Sequence, residues 1–215
     1  MIVESEAIVL RARKQGETSK IVTLYTRSFG KLNVIAKGAR EIKSKFGGAL
    51  EMFARSNVVF YKKDKPEGGL YLLSKADLAD SNGAILKSLD TIESATAIVE
   101  LILRAMHDEE EHPEVFDLLA GSLRQLSTNE NPRIVQFRFY MEFVVTMGFG
   151  LGEQAERSLS PEARAWLRSL SRNENTSIAP GLEEELQRFF RDYFAEHLPG
   201  MNSHSMRSEK VFSEL

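Results

Sequence analysis

The chain has 215 residues, 42% apolar and 27% charged, with no cysteine and a formal net charge of -3. This is enough apolar content for one large or two small cores, and the absence of cysteine excludes disulfides, thiolate catalysis and cysteine-ligated zinc or iron–sulfur centres. The near-neutral total conceals an asymmetry: residues 1–80 carry 15 Lys and Arg against 9 Asp and Glu, while residues 81–215 carry 13 against 22.

The chain opens Met1-Ile2-Val3-Glu4-Ser5-Glu6, with acids where a secretory leader carries positive charge. No apolar run reaches membrane-spanning length, so a cytoplasmic protein without a membrane partner is expected. Residues 3–12 are rich in β-branched side chains and stop before Gln15-Gly16-Glu17, which predicts a strand and a turn. Lys20 to Thr26 and Lys31 to Ala36 flank Arg27-Ser28-Phe29-Gly30, the pattern of a hairpin with glycine at the positive-φ position. Phe53 to Tyr61 and Leu70 to Leu78 add two strands around the turn-rich segment 62–69.

Five short strands without helical crossovers in about eighty residues predict a small closed barrel, an OB-fold or an SH3-like barrel. OB-folds commonly bind single strands through a cationic groove and stacked aromatic rings. The cations concentrate in residues 11–45: Arg11, Arg13, Lys14, Lys20, Arg27, Lys31, Lys37, Arg40, Lys43 and Lys45, against only Glu17 and Glu41. A solvated face is the bland reading of such a run, and a polyanion site is the sharper one. Of the interleaved rings, Tyr25 and Tyr61 lie in strands and are equally read as core or as platforms. Phe29 and Phe46 lie beside glycines in loops, where exposure for stacking is expected. The glycine-rich segment 37–51 is read as a loop that lets the backbone approach phosphate.

That segment, Lys37-Gly38-Ala39-Arg40 through Ser44-Lys45-Phe46-Gly47-Gly48-Ala49-Leu50-Glu51, resembles the RecO family of recombination mediators. The opening Glu6-Ala7-Ile8-Val9-Leu10, then Gly16-Glu17-Thr18-Ser19-Lys20-Ile21-Val22 and the late Phe194-Ala195-Glu196-His197-Leu198, which precedes a terminal basic segment, carry the same likeness. The resemblance implies an N-terminal OB domain and a helical C-terminal domain. It also implies annealing of DNA and help in loading the strand-exchange recombinase onto DNA coated with single-strand-binding protein. The partners implied are single-stranded DNA, with double-stranded DNA as a further ligand, single-strand-binding protein, RecR and, indirectly, the recombinase, in a cytoplasmic protein associated with the nucleoid. One departure stands out. Many members of that family carry a four-cysteine zinc module, whereas this chain runs from Gly150-Leu151-Gly152-Glu153 to Ser160-Pro161 without cysteine, so no metal and no cofactor is expected.

From Asn82 onward the apolar period becomes helical. Ile85, Leu89, Ile92, Ala95, Val99, Ile102 and Met106 predict one long amphipathic helix behind an Asn82 cap. A second helix starts near Pro113 with Phe116, Leu119, Leu123 and Leu126 on one face. Asn131-Pro132 and Ser160-Pro161 are cap-plus-proline starts for two more, and Leu182 to Leu198 makes another. The class expected is therefore α+β: an OB barrel over residues 1–80 and an all-helical domain for partner binding over residues 81–215. The acidic runs Asp108-Glu109-Glu110-Glu111 and Glu183-Glu184-Glu185 are read as solvated. Arg133, Phe137 and Arg138 are read as a surface for an acidic, hydrophobic peptide such as the tail of single-strand-binding protein, against a reading as ordinary core and surface. Phe189, Phe190, Tyr193 and Phe194 are read as core.

No catalytic constellation emerges. His107 and His112 are five apart without a third ligand, and His197 and His204 are isolated. Gly30-Lys31 lacks the upstream glycine of a P-loop, and Gly148-Phe149-Gly150-Leu151-Gly152 follows a helix and lacks the spacing of a dinucleotide fingerprint. A non-enzymatic nucleic-acid protein is expected. The alternatives are an RNA-binding OB protein, a scaffold whose basic patch binds an acidic protein and, last, a hydrolase.

Overall fold

The computed structural model describes residues 1–62, 69–128, 131–152, 155, 157–172 and 177–198. Most of the expected turn at 62–69, His204 and the terminal basic segment lie outside the described residues.

The strands are β1 (Ile2–Gln15), β2 (Ser19–Thr26), β3 (Gly30–Ala36), β4 (Arg55–Tyr61) and β5 (Leu70–Asp80). They close in the order β1-β2-β3-β5-β4, with β1 antiparallel to both β2 and β4 and a short parallel pairing of β3 with β5 at Asn33–Leu70, Val34–Tyr71 and Ile35–Leu72. This is the five-stranded Greek-key barrel of the OB-fold. Alternation sends Ala7, Val9, Val22, Leu24, Leu32, Val34, Val58, Phe60, Tyr71 and Leu73 into the core. β1 outruns its expected length because it serves two neighbours in succession: Ile2–Ile8 pair with β4 and Ala7–Gln15 with β2. An extra residue, Leu10, bulges between Val9 and Arg11, giving the bend that such a change of partner needs.

The segment 37–54 is not an open glycine loop. A short 3-10 turn at Gly47–Leu50 carries buried Ala49 and Leu50 into the barrel core, together with Phe46 and Ala54. Val9 and Phe53–Ala54 exchange backbone hydrogen bonds, Val9 N–H to Ala54 O and Phe53 N–H to Val9 O, each 3.0 Å.

The helices are α1 (Leu89–Ala105), α2 (Pro113–Leu126), α3 (Pro132–Thr146), α4 (Pro161–Ser171) and α5 (Pro180–His197). Asn131 and Ser160 cap α3 and α4 with their side chains, as their sequences suggest. Asn82 does not cap α1. It is buried at φ +48 and donates from its side-chain amide to Phe53 O at 2.9 Å, and a 3-10 turn (Gly83–Lys87) intervenes before α1 starts.

The compact units do not divide at residue 80. The barrel unit comprises Met1–Ile85 and Met106–Ser127, and the helical unit comprises Leu86–Ala105 and the chain from Thr128. The acidic run before α2 is therefore not simply solvated. Glu109 N–H donates to Lys31 O (2.8 Å), the Tyr71 hydroxyl donates to a Glu109 carboxylate oxygen (2.8 Å), and Asp108 pairs with Lys31 (3.4 Å). Arg27 adds an ion pair to Asp117 of α2 and places its guanidinium 5.3 Å from the centre of the Phe116 ring.

In the helical unit α3 buries Ile134, Val135, Phe137, Phe139, Tyr140, Phe143 and Val144 on more than one face, as expected of a central helix. Phe190 stacks on Phe137 at 5.9 Å, and Trp166 meets it edge-on at the same distance.

Gly30 sits at φ +60, and a Cβ there would fall 2.0 Å from the Glu110 carbonyl oxygen; Gly16, at φ +58, faces open space. Both Gly→Ala changes incur the left-handed backbone penalty of about 1–2 kcal/mol. Gly30→Ala alone also displaces the acidic segment, so urea unfolding should show a clearly larger loss of stability for Gly30→Ala than for Gly16→Ala.

Candidate nucleic-acid interface

The cations of residues 11–45 divide into two groups once the register is known. Lys31 faces Asp108, Arg27 is held between Glu6 (3.3 Å) and Asp117, and Lys20 pairs with Glu51 at 2.9 Å. These charges are largely compensated within the barrel unit. Arg11, Arg13, Lys14, Lys37 and Lys43 are exposed and make no ion pair among the described residues.

Four of these, Arg11, Arg13, Lys14 and Lys37, gather at one end of the barrel. Beyond the bulge, Arg11 pairs with Thr23, Arg13 with Ile21 and Lys14 with Lys20, forming a ribbon whose β1 side is exposed from Arg11 to Gln15. Lys20 in turn pairs with Ala36 at the end of β3, which brings Lys37 beside the ribbon. Arg40 fastens the two parts: its backbone N–H donates to Thr18 O (2.9 Å) and its guanidinium to the carbonyls of Gly16 and Glu17 (2.9 Å each). The guanidinium thereby braces the turn. Lys45 reaches across to donate to Ser74 O on β5 at 2.7 Å.

The rings expected to stack are placed otherwise. Phe46 is 3% exposed and belongs to the barrel core, with Lys45 Nζ 5.1 Å from its ring centre. A large apolar ring beside glycines was read as a loop platform, but the 3-10 turn folds it inward, where burying it stabilises the barrel end. Phe29 is half-buried, edge-on to Phe60 at 5.6 Å and covered by Lys62 Nζ at 4.7 Å. Tyr25 is fully buried, and burial, with Glu114 and Glu110 nearby, raises its hydroxyl pKa, so it stays a neutral phenol. Tyr61 remains exposed.

The expected peptide surface on α3 is also corrected. Arg133 bridges Glu93 (2.6 Å) and Glu183 (2.9 Å), Phe137 is fully buried, and Arg138 is half-buried. Arg133 and Phe137 thus serve the interior of the helical unit, and Glu183, read as solvated, is one of the carboxylates that hold Arg133. Phe190, Tyr193 and Phe194 are buried, as read, while Phe189 is half-buried.

Among the described residues no group of three His, Asp or Glu side chains could hold a metal ion, and no helix is long and apolar enough to cross a membrane.

An OB barrel with uncompensated cations gathered at one end defines a class of barrel suited to polyanions. Comparison with known proteins narrows the class. Residues 1–82 match the family model for the recombination protein O N-terminal domain, and residues 86–154 match that for its C-terminal domain. The DNA repair protein RecO of Salinibacter ruber is 38% identical over 157 residues, covering 73% of this chain and 59% of that protein. The RecO of Chloroherpeton thalassium is 34% identical over 177 residues, covering 78% and 68%, and that of Bacillus subtilis 31% over 148 residues, covering 69% and 56%. The chain belongs to the RecO family. It spans less than two thirds of the length of the Salinibacter and Bacillus proteins.

Because Phe46 is core, Phe46→Ala should lower stability by about 3–5 kcal/mol, read by urea denaturation. Phe46→Leu should recover much of that loss, with the nucleic-acid affinity of the folded protein unchanged in both.

Proposed function

We propose that the chain is a DNA-repair protein that binds single-stranded DNA at the basic end of its barrel and promotes annealing of complementary strands. The observation that carries this reading is the convergence of Arg11, Arg13, Lys14 and Lys37, exposed and without ion pairs among the described residues, on an OB barrel. Two complementary strands repel through their phosphates. Lysine and arginine side chains that neutralise those phosphates lower the repulsion and release condensed counterions, which accelerates pairing without covalent chemistry.

In this reading the protein acts as a mediator rather than an enzyme. It works on DNA covered by single-strand-binding protein, assists loading of the strand-exchange recombinase and cooperates with RecR in the nucleoid-associated cytoplasm. The names of the relatives support the repair role. The basic barrel supports DNA as the ligand.

The test is the rate at which two complementary strands anneal, each coated with its cognate single-strand-binding protein, with and without this chain and without ATP. Acceleration is expected; none, despite binding to bare DNA, would reduce the reading to a nucleic-acid-binding barrel. Replacing Arg11, Arg13 and Lys14 together by glutamine should weaken binding alike across sequences. It should also flatten the log–log salt dependence by about 2, at about 0.7 for each phosphate contact on a single strand.

A further inference from the structure

The register of the closed barrel brings together residues that are far apart in the chain. Arg13 pairs with Ile21, Ile21 with Ile35, Ile35 with Leu72 and Leu72 with Tyr61, a single rung across β1, β2, β3, β5 and β4. Partners in register project from the same face of the sheet. Tyr71 and Leu73 point into the core, so Leu72 and its rung point outward. Ile2 continues the row opposite Tyr61.

Ile21, between Arg13 and Ile35, is 6% exposed, and the open part of the row runs from Ile35 to Tyr61. Tyr61 is 38% exposed, Leu72 37%, and Leu70, one outward position away on β5, 47%. Ile35 is half-buried between them. Tyr61 is the exposed ring among the described residues of the barrel unit, since Tyr25, Phe46, Phe53, Phe60, Tyr71 and Phe116 are all buried and Phe29 is half-buried. From Ile35 to Tyr61 the row crosses two inter-strand spacings, about 10 Å.

Cations border it. Arg13 stands at one end of the rung. Lys37 lies two residues beyond Ile35, just past the end of β3, and Lys45 is held on Ser74, two residues beyond Leu72 on the parallel strand β5, so both flank the row on the same side. The adjacent rung Glu4–Val59–Lys75, with Asp77 paired to Lys75, carries mixed charge.

We propose that Ile35, Leu72 and Tyr61 form a stacking strip for unpaired nucleobases, while Arg13, Lys37 and Lys45 receive the phosphates of the same strand. This rests on the single-strand reading above and names the atoms that meet the bases. An apolar row beside positive charge matches a ligand with a ring on one side and a phosphate on the other. It is the combination by which single strands are held irrespective of sequence. Duplex DNA hides its ring faces in the stack and gains nothing from the strip.

The experiment compares binding of the full chain to oligothymidylate and to an abasic oligonucleotide of equal length, at one salt concentration. The native chain should prefer the thymidylate strand by roughly five-fold or more for each stacked base. Tyr61→Ala and, independently, Leu72→Gln should shrink that preference while leaving the salt dependence unchanged, and Tyr61→Phe should retain it. Both positions are exposed, and an unaltered melting temperature verifies the fold. If the native chain binds both strands equally, or if the preference survives both variants, the strip does not contact bases and serves another partner, a protein included; the single-strand reading then stands on its cations alone. If the native chain binds neither strand, that reading fails as well.

Discussion

Closure of the barrel is the constraint on which the rest of the barrel unit depends. A five-stranded sheet closes only if its first strand finds a partner on each side, and here β1 does so by running long and bulging at Leu10. The first half of β1 satisfies β4 and the second half β2. Once β1 has passed its bulge it pairs with β2 alone among the described strands, and this open side is what carries Arg11, Arg13 and Lys14 into solvent. The short parallel contact between β3 and β5 completes the ring, fixes which side of every strand faces outward and aligns Ile35 with Leu72.

Electrostatics then separates two uses of the same residue type. Cations near the β2–β3 turn, Arg27 and Lys31, meet carboxylates supplied by the chain itself, as does Lys20 with Glu51, whereas Arg11, Arg13, Lys14 and Lys37 meet none among the described residues. A partly exposed ion pair contributes little to stability. Its larger consequence is on the field: the positive potential is confined to one end of the barrel, where the turn braced by Arg40 stands.

Alternation and turn chemistry made the strands legible from the sequence. The hairpin around Gly30, the caps at Asn131 and Ser160 and the late helices were all readable, because each rests on local backbone preferences. Phe46 and Asn82 were misread for the same physical reason. Their residue types suit an exposed loop and a helix cap, but tertiary packing assigns them to the core and to a clamp on Phe53 O. The sorting of the cations was illegible as well, since Asp108 and Asp117 lie more than seventy residues away from their partners in the chain. The Tyr61–Leu72–Ile35 row needed the register, which periodicity alone does not supply.

The barrel unit is not continuous in sequence: Met106–Ser127 belongs to it, and Leu86–Ala105 does not. During synthesis the five strands emerge first, but Asp108 and Asp117, which meet Lys31 and Arg27, follow only after the whole of α1. The early barrel therefore exists for a time with Lys31 lacking its carboxylate and Arg27 held by Glu6 alone, and with the backbone around Gly30 lacking its contact at Glu110. The order of translation imposes a nascent form more positively charged than the finished unit, and a delay of some twenty residues separates the two.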